Sequence, residues 1–159
     1  MTLTLRRATV EDCATILHFV RELAEYEKLS HLVVATEDKL RASLFGPHAK
    51  SRAVIAEQHG QAVGFALYFF NYSTFLAQQG LYIEDLYVPE NLRGQGIGKA
   101  LLRWLAQEAV REQCGRMEWA VLDWNAPSIA FYRSLGAEPL EDWTLYRLTA
   151  NHIETLAAS

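Results

Sequence analysis

Cysteine is scarce in this sequence: its 159 residues include only Cys13 and Cys114, with no C-x-x-C pair. That excludes a disulfide framework and a thiolate metal knuckle, and it points to a reducing, cytoplasmic compartment. The five histidines, at positions 18, 31, 48, 59 and 152, have neither paired helical spacing nor a cysteine close by, so no metal site is expected. Positive charge is not in excess, because 15 Lys and Arg stand against 19 Asp and Glu, for a net charge of −4. Nucleic acid, which calls for a basic surface, is therefore not an expected partner. A cationic small molecule is compatible with the same balance. Long apolar runs are missing too. The longest, Ala62 to Phe70, is interrupted by Gly64 and falls well short of the roughly 20 residues of a membrane span. The opening Met1-Thr-Leu-Thr-Leu-Arg-Arg-Ala8 alternates and meets two arginines at once, which is not the pattern of a signal peptide. No membrane partner is expected.

What remains is ordinary globular usage, half apolar and 21% charged. There is no linker, repeat or low-complexity stretch, and residues 1–159 read as a single domain. A chain of this length buries enough surface to need no metal or disulfide staple. Leu3 to Arg7 alternates as a first strand. Thr9 and Asp12 resemble a helix N-cap with an acid in the first turn, and Ile16, Phe19, Val20 and Leu23 recur at helical spacing up to about Tyr26–Leu29. Thr36-Glu37-Asp38 opens a shorter helix to Leu44, stopped by Gly46-Pro47. Arg52–Glu57 and Gln61–Asn71 form an antiparallel hairpin about His59-Gly60. Leu81–Val88 is a fourth strand, ended by Pro89. Ile97, Leu101, Leu105 and Ala109 stripe a long helix, from about Gly96 to Gln113, closed by Cys114-Gly115. Met117–Leu122 is a fifth strand. Pro127–Leu135 is a helix with Gly136 at its left-handed cap. Thr144–Leu148 is a last strand, and a short helix ends the chain. The order βααβββαβαβ predicts an α+β fold, a mixed, mainly antiparallel twisted sheet with flanking helices.

Arg93-Gly94-Gln95-Gly96-Ile97-Gly98-Lys99 lies between a strand and a long helix, where backbone amides and the helix dipole can cradle an anion. A Walker A loop fails here, because Arg93 stands where its first glycine belongs and Ala100 follows Lys99. A G-x-G-x-x-G dinucleotide loop fails at Lys99. The pattern R-x-x-G-x-G is satisfied by Arg93, Gly96 and Gly98. A glycine-rich surface turn is the alternative for the glycines alone; the flanking strand and helix favour the cradle.

Three segments, Leu81-Tyr-Ile-Glu-Asp-Leu-Tyr-Val88, Arg93-Gly-Gln-Gly-Ile-Gly98 and Trp124-Asn-Ala-Pro-Ser-Ile-Ala-Phe-Tyr132, together resemble Gcn5-related N-acetyltransferases, and within them the spermidine/spermine and thialysine acetyltransferase family. Arg6-Arg-Ala-Thr-Val-Glu-Asp-Cys13 and Glu22-Leu-Ala-Glu-Tyr-Glu27 are similar to it as well, so the resemblance runs from about Leu3 to Leu148. It implies acetyl-CoA as cosubstrate, a primary amine as acceptor, and a homodimer. By the same resemblance, the Arg93 turn holds the coenzyme, with the backbone of Gly94, Gln95, Gly96, Ile97, Gly98 and Lys99 on the pyrophosphate. Leu86, Tyr87 and Val88 pair with the pantetheine arm as an added strand. Asn125, Ala126, Pro127 and Ser128 contact the coenzyme from the other side. A bulge in the fourth strand frees an N–H for the developing oxyanion. Lys99 departs from relatives with a small polar residue there, and either adds a phosphate contact or faces solvent.

Transfer of acetyl to an amine needs a base for the ammonium and an acid for the departing thiolate. The matched segment makes Tyr132, a phenol protonated near neutral pH, the acid; by spacing alone it is a core aromatic beside Phe131 and Leu135. Glu84 is the base through water, or it positions the substrate without proton transfer. Strict alternation puts Glu84 and Asp85 on opposite sides of the strand, leaving Asp85 a structural hydrogen bond. Tyr26, Glu27, Glu118, Trp119, Ala120 and Glu141 match the family's acceptor-binding positions, where spaced carboxylates suit a multiply charged amine; each glutamate alone is equally a solvated surface charge. The cysteines read as apolar positions, so direct attack in a ternary complex is expected. The acceptor is then a polyamine, a diamine or a thialysine or lysine analogue. A protein or other small amine, or a catalytically silent coenzyme-A-binding module, is the alternative.

Overall fold

The computed structural model describes residues 2–159. They form two compact units, residues 2–120 and Val121–Ser159. The first carries a five-stranded sheet in the order β1-β2-β3-β4-β5, built from β1 (Thr4–Arg7), β2 (Ser51–Gln58), β3 (Gln61–Ser73), β4 (Gln78–Tyr87) and β5 (Met117–Trp119). All neighbours are antiparallel except β4 and β5. Its helices are α1 (Cys13–Tyr26), α2 (Glu37–Phe45) and α3 (Ile97–Arg111). The β2–β3 hairpin turns at His59 and Gly60, both left-handed (φ 54° and 72°), the two-residue turn whose twist matches its strands.

The sheet has two occupied faces. On one, Phe19 of α1 stacks on Phe65 (ring centroids 5.6 Å apart) and tilts onto Tyr87 at 6.0 Å, with Ile16, Ile55 and Ala53 in the same buried cluster. On the other, Tyr68 meets Trp104 of α3 edge-on at 6.1 Å. Gly64 lets α3 lie close: a Cβ there would sit 3.0 Å from the Tyr87 carbonyl oxygen and 3.3 Å from Ile97 and Leu101 side-chain atoms. A buried carboxylate anchors the same helix. Glu108 accepts the Tyr68 hydroxyl at 2.6 Å and Arg7 Nη2 at 2.6 Å, so β1 and β3 both hold α3. Burial acts to raise the Glu108 carboxyl, but the bonds from Tyr68 and Arg7 outweigh it and hold it below its usual value. Burial and the Glu108 bond push the Tyr68 phenol up to about 12.

The second unit holds α4 (Ala126–Ser134) and α5 (Ala150–Ala157). Asn125 caps α4 by accepting the Ser128 N–H at 3.4 Å, and Gly136 (φ 89°) ends it in the left-handed conformation expected of it. Three expectations need correction. Thr144–Leu148 is not a strand: the five strands of the sheet end with β5, and Leu145 and Tyr146 stand 79% and 89% exposed. Alternation supplies a face but not a partner ladder. The fifth strand stops at Trp119 instead of Leu122, because only Met117, Glu118 and Trp119 pair with β4. The long helix is closed by Gln113 (φ 57°), one residue before the expected Cys114-Gly115, and the Cys114 N–H returns to the Ala109 carbonyl at 2.8 Å. The observed order is βααβββαβαα.

Candidate active site

The site starts where β4 parts from β5. β4 pairs with β5 only at Leu81, Tyr82 and Ile83, while β4 itself runs on to Tyr87. The two strands therefore part beyond Ile83, and the backbone from Glu84 onward has an edge free of β5. The register against β3 slips at the same point. Tyr68 faces Ile83 but Leu67 faces Asp85, so Glu84 is the extra residue of a β-bulge.

The bulge changes which side chains share a face, since directly opposed residues point to the same side of a sheet. Ile83, opposite Tyr68, lies on the α3 face. Asp85, opposite Leu67, and Tyr87, opposite Phe65, lie on the α1 face. The extra residue thus reverses the parity of β4 and puts Asp85 on the α1 face. Asp85 is half-buried, and its carboxyl is raised to about 6 by burial, then by the charges of Glu84 and Glu27. Glu27, at the C-terminal cap of α1, is itself raised by burial. Asp85 thus lies within electrostatic reach of both Glu84, which is exposed, and Glu27. The resemblance predicts a bulge in this strand, but alternation alone does not show where it falls, and so misses the face that Asp85 takes.

Downstream, the chain enters the glycine turn. Gly94 and Gly96 take φ of 78° and 85°, and a Cβ at either would meet nothing within 4 Å. These left-handed positions curl the backbone so that successive N–H groups converge, and only glycine adopts them without strain. The first α3 bond runs from Ala100 N–H to the Gly96 carbonyl at 3.0 Å. The N–H groups of Ile97, Gly98 and Lys99 thus precede the helical ladder and sit at the positive end of the helix dipole. Lys99 is exposed on that first turn.

The Arg93 side chain turns away from the cradle. Its Nε donates to the Val88 carbonyl at 2.9 Å, and its guanidinium lies 4.4 Å from the Tyr26 ring centroid and 5.7 Å from that of Tyr87. Tyr87 is buried among Phe19 and Phe65, its phenol pushed up to about 12 by burial and then by the charge of Glu22. Of Tyr87, it is the backbone that lies at the free edge; Leu86 is half-buried and Val88 buried just beyond it.

The remaining predicted residues divide. Glu118 sits opposite Tyr82 on β5, and its carboxylate is bound by Arg116 Nε at 3.0 Å and Asn71 Nδ2 at 3.5 Å. Its charge is thereby partly neutralised. Trp119 is half-buried opposite Ile83, and Ala120 is exposed. Asn125, Ala126, Pro127, Ser128 and Tyr132 open and follow α4 in the second unit, where Tyr132 packs on Phe131 at 5.7 Å. Glu141 is exposed beyond them. Burial raises both cysteine thiols, which makes them poorer nucleophiles. Among the described residues there is no group of three or more His, Cys, Asp or Glu able to hold a metal ion. No described helix is long and apolar enough to cross a membrane.

Comparison with known proteins decides the family. Residues 16–137 match the model of the acetyltransferase (GNAT) family. The chain belongs to that family. It is 38% identical over 164 residues to thialysine N-epsilon-acetyltransferase of Mus musculus, covering 96% of each chain. It is 32% identical to an L-ornithine N5-acetyltransferase of Arabidopsis thaliana, covering 96% of this chain and 86% of that one. Among solved structures, a Vibrio cholerae integron cassette protein superposes with a TM-score of 0.84 at 28% identity, covering 100% of this chain and 99% of the other. An aminoglycoside acetyltransferase from a soil metagenome shares the fold, with a TM-score of 0.77 at 20% identity over 92% and 97% of the two chains. This GNAT chain is accordingly an amine acetyltransferase, and acetyl-CoA is the donor its family uses.

Proposed function

We propose that the protein acetylates a primary amine of a small cationic acceptor, a polyamine, a diamine or a thialysine or lysine analogue. The observation that carries this reading is the bulge that puts Glu84 and Asp85 side by side at the edge of β4 free of β5, with Asp85 within electrostatic reach of Glu27. Two partly desolvated acids, Glu27 and Asp85, with the exposed Glu84 beside them, favour a ligand with more than one ammonium, or one that is cationic beside the reacting nitrogen. The names of the relatives, for thialysine and ornithine, lie in the same chemical class.

The residues fit acetyl-CoA. The amides of Gly94 to Lys99 form a concave, positively polarised turn that suits a pyrophosphate, and the open β4 edge at Leu86 to Val88 suits the amide-bearing pantetheine. By the family resemblance, Asn125, Ala126, Pro127 and Ser128 add further coenzyme contacts. When bound, acetyl-CoA supplies an activated thioester carbonyl. Around it, Glu84 takes the proton of the ammonium through water, Asp85 and Glu27 hold the cation, and a bulge N–H stabilises negative charge developing on the carbonyl oxygen. Tyr132 donates its phenolic proton to the sulfur. Tyr26, Glu118, Trp119, Ala120 and Glu141 border the acceptor. Attack is direct, in a ternary complex; the raised thiols of Cys13 and Cys114 support this over an acetyl-cysteine route. We place the protein in the cytoplasm, as one functional domain that pairs with a second copy of itself. The exposed Trp143, Leu145, Tyr146 and Leu148 support the pairing.

The test is release of free thiol from acetyl-CoA in the presence of spermidine, spermine, putrescine, thialysine, lysine or a lysine-containing peptide. Turnover of the small cations over the peptide is expected. Turnover of the peptide alone would overturn the reading.

A further inference from the structure

Arg93 opens the glycine turn and carries a full positive charge, so a phosphate-binding role is its obvious assignment. Its side chain is committed elsewhere. The Nε–H is used by the Val88 carbonyl at the end of β4. The guanidinium carbon lies over Tyr26, in the last turn of α1, and near the ring of Tyr87, the last residue of β4. Tyr87 in turn packs on Phe19 of α1, ring centroids 6.0 Å apart. One planar cation thus joins the C-terminal end of α1, the open end of β4 and the start of the cradle. The residue after Tyr26 is Glu27, whose charge reaches Asp85.

We propose that Arg93 is a positioning residue of the acceptor side of the site: its guanidinium fixes Tyr26, and through it Glu27, against the end of β4. The inference rests on the function proposed above. Two features of the residue suit the task. A guanidinium stacks flat on an aromatic ring and donates in a fixed direction at the same time, whereas a lysine ammonium keeps the charge but loses both the plane and the Nε donor. The backbone of Arg93 also leads directly into Gly94, so the same residue sets the entry of the turn whose amides face the coenzyme. The phosphate cradle then depends on main chain, and the arginine side chain serves the amine.

The two roles separate in a measurement of coenzyme A affinity by calorimetry alongside the KM and kcat for the amine, in Arg93→Gln, Arg93→Lys, Tyr26→Leu and the Arg93→Gln/Tyr26→Leu double variant. The positioning role predicts a coenzyme A affinity within about twofold of wild type and an amine KM raised about tenfold in both Arg93 variants. Tyr26→Leu reproduces the rise, and the double variant adds little to either single one. A coenzyme A affinity lowered about tenfold in Arg93→Gln and restored in Arg93→Lys, with amine KM unchanged, would make Arg93 a phosphate ligand and overturn the inference. No change in either quantity would overturn it equally. A wild-type protein that binds coenzyme A but acetylates no amine would refute the proposed function instead. In that event amide hydrogen exchange across residues 23–29 decides: faster exchange in Arg93→Gln supports the positioning contact, and unchanged exchange refutes it.

Discussion

Asp85 is costly to the fold. Burial and the charges of Glu84 and Glu27 raise its carboxyl from an ordinary 3.8 to about 6. Between those values the folded protein retains a proton that the unfolded chain has released. The unfolded state then binds fewer protons, and stability falls as pH rises through the window. The loss is complete above about pH 6, and at about 1.4 kcal/mol per pH unit it amounts to about 3 kcal/mol. Asp85→Asn keeps the shape and removes the charge. It is expected to raise stability by about 3 kcal/mol near pH 7.5, or about 6–12 °C in Tm for a domain of this size. Near pH 4, where the wild-type carboxyl is already protonated, the gain vanishes. The same variant loses a charge that the proposed function assigns to holding the cation, so its amine KM is expected to rise. Thermal denaturation at both pH values, with amine kinetics alongside, is the assay. A gain equal at the two pH values, or a loss of stability near neutrality, would refute the reasoning, because Asp85 would then be a charged residue that the fold satisfies.

Four further outcomes are expected. Tyr132→Phe lowers kcat about a hundredfold or more with little change in coenzyme affinity, the range for loss of a general acid; unchanged turnover across pH removes Tyr132 from that role. Glu84→Gln shifts the pH profile of kcat/KM or raises the amine KM, and a variant with neither change takes Glu84 out of both chemistry and binding. Gly96→Ala, at φ 85°, costs about 1–2 kcal/mol in stability and weakens acetyl-CoA binding measured by calorimetry, because the left-handed turn strains any Cβ. Glu108→Ala strands Arg7 and the Tyr68 hydroxyl and costs about 3 kcal/mol in denaturant unfolding. As the Glu108 carboxyl lies below its usual value, its contribution is present near neutrality and is lost as pH falls through that lowered value.

Helices and strands with their own periodicity were readable residue by residue. The Ile16, Phe19 and Leu23 stripe became the buried face of α1, and His59-Gly60 became the two left-handed residues of the hairpin turn. The glycine turn was readable because glycine marks backbone conformations that other residues resist, and Gly94, Gly96 and Gly136 all take positive φ. What depended on partners was not. Thr144–Leu148 alternates as a strand does, yet no ladder receives it within the sheet. The Gln113 helix cap, a left-handed residue without glycine, left no mark in composition. The acceptor side turned on parity. Alternation separates Glu84 from Asp85, and only the register against β3 shows that the inserted Glu84 sends Asp85 to the face of α1. Charge neutralisation of Glu118 by Arg116 is likewise a product of packing between distant segments, invisible in a list of acidic positions.

The central claim is that the carboxylates beside the β4 bulge select a small cationic amine. One competition reaction tests it most directly: limiting acetyl-CoA, equal concentrations of spermidine, putrescine, thialysine, lysine and a lysine-containing peptide, and mass spectrometry of the acetylated products. The account predicts that acetyl appears on the small cations and that Asp85→Asn depresses this selectivity. Acetyl found predominantly on the peptide, or a product distribution that Asp85→Asn leaves unchanged, would contradict it.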